Sequence, residues 1–192
     1  MKLFLTIVCF LIVGQVFAQE TKSIGELGLK AGININDLGG KNAGMYSTLG
    51  FHFGFYYEAV LNSYSSIQPE LFLAQQGAAL DLNKDFRLNY YYLNIPILYK
   101  VYFADDFTVA IGPQYGFLIA ASENTVYGNE NITENVRRND ISAILDIGYK
   151  YKGRTSLNLR YTLGFSNTNF QNVVYSRRLT NRVFFITLAY IL

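Results

Sequence analysis

The stretch Ser47-Thr48-Leu49-Gly50-Phe51-His52-Phe53-Gly54-Phe55-Tyr56-Tyr57-Glu58-Ala59-Val60 decides the fold. Leu49, Phe51, Phe53, Phe55, Tyr57 and Ala59 fall on one side of a period of two. Gly50, His52, Gly54, Tyr56 and Glu58 fall on the other. That period marks a strand whose two faces see different surroundings. A soluble sandwich would bury the apolar face and wet the polar one. A barrel in a bilayer turns the apolar face to lipid and the polar face into its lumen.

The same alternation recurs on both sides of this stretch. It predicts eight strands, at 25–35, 47–60, 64–77, 89–103, 107–121, 140–152, 154–166 and 181–192. Leu61-Asn62-Ser63, Ala104-Asp105-Asp106 and Lys152-Gly153-Arg154 are tight links with turn-type residues. Asn36–Tyr46, Ala78–Leu88, Ser122–Asn139 and Ser166–Thr180 are longer and more polar. Short turns on one side and long loops on the other predict an up-and-down outer-membrane barrel with its termini and turns in the periplasm. An even strand count lets the sheet close, which matters because each unpaired backbone group in lipid costs several kcal/mol. The expected class is therefore all-β, an eight-stranded antiparallel transmembrane β-barrel.

Composition points the same way. Charged residues are 16% of the chain against ~25% in soluble domains, so much of the surface is expected to avoid water. Lys2, the apolar run Leu3–Val13 and the Val16-Phe17-Ala18 site predict a signal peptide over residues 1–18. The barrel domain is then residues 19–192. After the signal no apolar run reaches the length of about 18 residues that a transmembrane helix needs. Without Lys2 the formal charge falls from +2 to +1, which offers no electrostatic case for nucleic acid. Cys9 lies inside the apolar run, so the mature chain is expected to carry no disulfide and no thiolate metal site.

Enzymatic readings find little support. His52 is the only histidine, so a multi-histidine metal site cannot form, and no motif around any serine supports a nucleophile. The glycines form no phosphate loop, because no helix start follows any of them. They are expected to relieve crowding and permit curvature in a small barrel. No cofactor is expected.

The alternation sends Lys30, His52, Glu58, Glu70, Lys100, Asp146, Lys150 and Arg160 into the lumen. Side chains just fill the interior of an eight-stranded barrel, so no open channel is expected. Charges buried there must be paired, and the simplest partners of Glu58 and Glu70 are Lys30, Lys100 and Arg160. The expected role is a salt-bridged polar plug; the alternative is a narrow ion path. The lipid-facing set includes Leu27, Leu29, Ile33, Leu71, Ile95, Ile111, Leu145, Ile147, Leu159 and Leu188. Tyr57, Tyr91, Phe103, Phe107 and Tyr151 near strand ends are expected to form interfacial girdles without tryptophan.

Several motifs carry a family resemblance. Gln68-Pro69-Glu70-Leu71-Phe72-Leu73-Ala74-Gln75-Gln76-Gly77 resembles the third-strand motif of the PorT-like outer-membrane barrels of Bacteroidetes. Tyr92-Leu93-Asn94-Ile95-Pro96-Ile97-Leu98-Tyr99-Lys100 is similar to the run on the next strand of that family. Gly112-Pro113-Gln114-Tyr115-Gly116, Asp146-Ile147-Gly148-Tyr149, Leu159-Arg160-Tyr161 and Gly164 continue the pattern. The resemblance implies an outer-membrane barrel. It also implies a link to secretion and gliding machinery, the association of the family's named member. One departure is Leu192, where such barrels usually end in an aromatic residue.

Three functional classes follow. The first is a non-enzymatic barrel with a structural or interaction role, whose partners are outer-membrane lipid and other envelope proteins. The second is a narrow pore for ions or small solutes, and the third a soluble periplasmic barrel that binds a ligand. Recognition is expected in the loops Ser122–Asn139 and Ser166–Thr180. Phe170, Tyr175, Arg177 and Arg178 of the second are of the types enriched at interface hot spots.

Overall fold

A computed structural model describes residues 25–39, 46–79, 86–103, 106–126, 128–151, 153–166 and 180–192. The signal sequence and the candidate contacts Phe170, Tyr175, Arg177 and Arg178 lie outside the described residues. The strands run in chain order as β1 (Glu26–Gly39), β2 (Thr48–Asn62), β3 (Ser65–Ala79), β4 (Arg87–Tyr102), β5 (Phe107–Thr125) and β6 (Gly128–Asn131). Then follow β7 (Asn139–Tyr151), β8 (Thr155–Gly164) and β9 (Thr180–Ile191). Chain neighbours pair antiparallel around the wall, β5 pairs β7, and β9 returns to β1. The wall is thus a closed eight-stranded antiparallel barrel, and β6 is a short appendage of β5.

Register keeps like faces together. Phe53 lies opposite Ala31 and Leu73, while Gly54 lies opposite Lys30 and Phe72. The apolar set points outward: Phe51 is 68% exposed and its neighbour His52 only 2%. Leu29, Leu145, Ile147 and Leu188 are likewise exposed on the outside, and Glu70, Asp146 and Arg160 are buried within. An apolar outside around a polar inside is stable only where the outside is not water. Tyr57, Phe103, Phe107 and Tyr151 are exposed toward the turn end, and Tyr91 toward the loop end.

Two strands run further toward the loop end than the apolar alternation reaches. β1 continues to Gly39 and β5 to Thr125. Polar residues interrupt the hydrophobic pattern without interrupting the backbone ladder, since Asn36 and Asp37 still pair with Val183 and Arg182. Proline does interrupt it, because it has no N–H to donate. Around Pro69 the β2–β3 pairing lapses between Tyr56↔Glu70 and Ala59↔Ile67, and around Pro96 and Pro113 the β4–β5 pairing lapses between Pro96↔Gln114 and Tyr99↔Ile111, each without a change of register.

The segment Ser122–Asn139 is not the wholly solvated loop its composition predicts. β6 folds back on β5 with Thr125 opposite Gly128 and Ser122 opposite Asn131. A 3₁₀ turn follows at Thr133–Asn135, and Ala121 N donates to Thr133 Oγ1 at 2.9 Å. The turn brings Ile132 and Val136 into one buried cluster with Ala78, Leu88, Tyr90 and Leu118. Removing these two apolar side chains from water offsets the cost of ordering the segment.

Candidate functional site

The lumen is built in layers. At mid-height Lys30 on β1, Glu70 on β3, Asp146 on β7 and Arg160 on β8 form one ionic chain. Lys30 Nζ lies 2.5 Å from Glu70 Oε2, and Arg160 Nη1 2.7 Å from the same oxygen. Arg160 Nη2 donates to Glu70 Oε1 at 2.8 Å, and its Nε to Asp146 Oδ2 at 2.7 Å. The guanidinium fork therefore holds one carboxylate bidentately and a second from its stem side. Gln68 Nε2 adds a bond to Glu70 Oε1 at 2.6 Å, and Asn158 Nδ2 one to Asp146 Oδ1 at 3.0 Å. Two cations meet two carboxylates, and the layer is neutral.

Nearer the turns a second pair forms. Lys100 Nζ lies 2.8 Å from Glu58 Oε2, while Ser66 and Tyr102 donate to Glu58 Oε1. This pair is also neutral. On the loop side of the ionic chain, His52, Phe72 and Phe185 stack edge to face, with His52 5.0 Å from Phe185 between ring centres. His52 Nε2 lies 2.8 Å from Thr187 Oγ1. Both cations of the ionic chain also lie over the Phe72 face, Lys30 at 5.2 Å and Arg160 at 5.9 Å. The loop-end cluster around Leu88, Tyr90, Ile132 and Val136 lies beyond.

The interior is not filled throughout. A cavity of about 460 Å³ lies at the turn end, lined by Asn62, Ser63 and Phe103 at its mouth and by Lys30 and Arg160 at its inner end. His52, Phe72 and Phe185 do not line it. The space exists because the lumen positions of this end carry short side chains, among them Thr108, Ser156 and Ala189. Lys150 lines this cavity half-buried and, among the described residues, makes no ion pair. Among those residues no three His, Cys, Asp or Glu side chains gather as a metal-ligand set.

Residue charge alone does not single out Gln68, Tyr102 and Asn158, which complete the two networks. Their signal was the same inward register that marks the charged set, since each sits an even number of positions from a charged lumen residue.

A family model described as an outer membrane protein beta-barrel domain matches residues 17–169. The chain belongs to that family. No curated protein matches it. Among solved structures it is similar to Neisserial surface protein A, with a TM-score of 0.60 and 9% identity over 86% of this chain and 97% of that one. It is also similar to Ail, the attachment invasion locus protein of Yersinia pestis, solved with the heparin analogue sucrose octasulfate. There the TM-score is 0.50 and the identity 11%, over 88% of this chain and 99% of that one. Identities this low speak for the fold alone. Family membership and the inside-out polarity together make this an outer-membrane protein in contact with lipid. The soluble periplasmic reading is thereby set aside.

Proposed function

We propose that this family member is a non-conducting, non-enzymatic outer-membrane barrel with a structural or interaction role. The observation that carries this reading is the neutral ionic chain Lys30–Glu70–Arg160–Asp146, tied across the lumen by direct contacts of 2.5 to 2.8 Å. An ion path needs charges free to exchange with a permeant ion, and these are consumed by one another. The role of the lumen residues is to fix the barrel's cross-section, and recognition falls to the loops, including Phe170, Tyr175, Arg177 and Arg178. The motif resemblance extends the proposal to a PorT-like component of secretion or envelope machinery. Residues 1–18 serve as the export signal, and the short turns face the periplasm.

Planar-bilayer recording of the purified full chain tests the reading. The expected result is a baseline indistinguishable from protein-free lipid at all voltages. A stable, ion-selective conductance that changes with Glu70→Gln would replace the plug by a pore.

A further inference from the structure

The lumen holds the cations Lys30, Lys100, Lys150 and Arg160 and the carboxylates Glu58, Glu70, Asp146 and, at the loop end, Asp140, which accepts from Asn181 Nδ2 at 3.1 Å. The contacts at the turn end leave one of these cations without a carboxylate partner. Lys30 and Arg160 are matched by Glu70 and Asp146, and Lys100 by Glu58. Lys150, among the described residues, is matched by none. Its half-buried side chain lines the turn-end cavity.

Its surroundings are polar, with Ser156 Oγ donating to Asn158 Oδ1 at 3.1 Å and Asn158 Nδ2 to Asp146 Oδ1 at 3.0 Å. Lys150 lies directly opposite Ser156 in the β7–β8 register, and Gly148, two residues before it on the same face, lies opposite both Thr108 and Asn158. A Cβ on residue 148 would stand 2.5 Å from Thr108 Oγ1 and 2.7 Å from Asn158 Nδ2. Glycine there is what lets these two polar side chains lean over β7 toward the cavity. Arg154 adds a second cation at the rim, exposed and, among the described residues, without an ion pair. The carboxylate Glu26 also lines the cavity, but it stands on β1, opposite Glu58 in register and three strands away from β7. One wall is therefore basic and polar, and the facing wall carries the Lys100–Glu58 pair with Glu26 beside it.

From this arrangement we infer that the turn-end cavity is a binding site for a small soluble oxyanion, a phosphate or carboxylate compound. Lys150 supplies the point charge, Arg154 the second contact at the rim, and the Thr108 hydroxyl and the second N–H of Asn158 the neutral polar partners. A volume of about 460 Å³ lies within the range of small-molecule sites. Burial in a barrel of low-dielectric walls strengthens the attraction between Lys150 and an entering anion. The layers beyond Lys30 and Arg160 make the cavity a cup, so the site binds without passing its ligand through. That the ligand is periplasmic rests on the proposed orientation of the short turns. Binding in detergent does not, so the two readings fail separately.

The test uses the full chain in an uncharged maltoside detergent, which brings no phosphate of its own, titrated calorimetrically with glycerol 3-phosphate. The expected result is saturable binding with a Kd of about 1 mM or tighter. Lys150→Met should weaken it about tenfold or more, which corresponds to about 1.4 kcal/mol. Lys150→Arg should retain most of the affinity, and Glu130→Gln at the loop end should change nothing. Heat-modifiable migration of each variant checks that the barrel has formed, and Lys150→Met breaks no ion pair among the described residues. Absence of saturation in the wild type, or equal affinity in folded Lys150→Met, overturns the site. A further arm repeats the titration in phosphatidylglycerol nanodiscs. Binding of glycerol 3-phosphate retained there supports a soluble ligand, and its loss assigns the site to a lipid headgroup and overturns the soluble-ligand inference.

Discussion

Arg160 on β8 grips Glu70 on β3 by both carboxylate oxygens, Nη1 to Oε2 at 2.7 Å and Nη2 to Oε1 at 2.8 Å, across 90 residues of chain. Neither strand is the other's neighbour, so this contact ties the wall across its interior rather than along its ladder. Lys30 completes the grip at 2.5 Å.

Removing Glu70 therefore strands two buried cations with Asp146 as their sole remaining carboxylate in the chain. Breaking a buried pair from one side costs roughly 3–5 kcal/mol. Glu70→Ala should lower the urea midpoint of unfolding in detergent by a corresponding amount. Glu70→Ala combined with Lys30→Met should recover part of the loss. A Glu70→Ala protein as stable as wild type would mean that water replaces the carboxylate at no cost, and the bracing role would be lost.

Leu145 is 49% exposed on the outside of β7, next to the buried Asp146. An arginine facing lipid near mid-bilayer costs roughly 2–4 kcal/mol. Leu145→Arg should therefore fold poorly into phosphatidylcholine vesicles, followed by the heat-modifiable band shift. Asp146→Asn should insert normally and show its defect as reduced stability instead. Insertion of Leu145→Arg at the wild-type yield would contradict the assignment of that face to lipid.

Ile132 is 4% exposed although it lies between two polar segments. Truncating a buried isoleucine costs about 2–5 kcal/mol, and the lower end applies where the site can collapse. Ile132→Ala should speed proteolysis between residues 122 and 139 before the barrel itself is cut. Unchanged protease sensitivity there would show that the 3₁₀ turn is not held by this contact.

Gly32 faces the backbone carbonyl of Ile186, which a Cβ at that position would overlap. A backbone group on the paired strand cannot swing aside as a side chain does, so Gly32→Ala should cost about 1–3 kcal/mol by overpacking. Gly128→Ala, where nothing lies within 4 Å but φ is +141°, would be strained by conformation alone and confined to the β5–β6 hairpin. The two variants should differ in the global unfolding midpoint, with Gly32→Ala the lower. Equal midpoints would remove the packing argument.

Orientation is accessible through thiol labelling. In a Cys9→Ser background, Asn129→Cys on β6 should react with a membrane-impermeant maleimide on intact cells, and Ser63→Cys in the β2–β3 turn only after the outer membrane is opened. The reverse pattern would place the cavity on the cell surface.

Period-two alternation in the chain was enough to assign the eight wall strands, their faces and closure, though not β6, because in a barrel wall every lumen residue is separated from the next by one lipid residue. Leu49 through Val60 could be read correctly with no knowledge of their neighbours. The same rule marks Lys30, Glu70, Asp146 and Arg160 as inward-facing, since facing is a local property of the pleat. The set read from it omits Asp140, which is buried on the inward face of β7. What the rule could not contain is distance across the lumen. That Arg160 reaches Glu70 and Asp146, that Lys100 meets Glu58 instead, and that Lys150 meets no carboxylate among the described residues all depend on barrel shear and side-chain length, which no local pattern encodes. The turn-end cavity arises the same way, from short residues on separate strands brought to one height. Ile132 and Val136 followed no alternation at all. Only the folding of their loop back over Leu88 and Tyr90 gave them an apolar surface to cover.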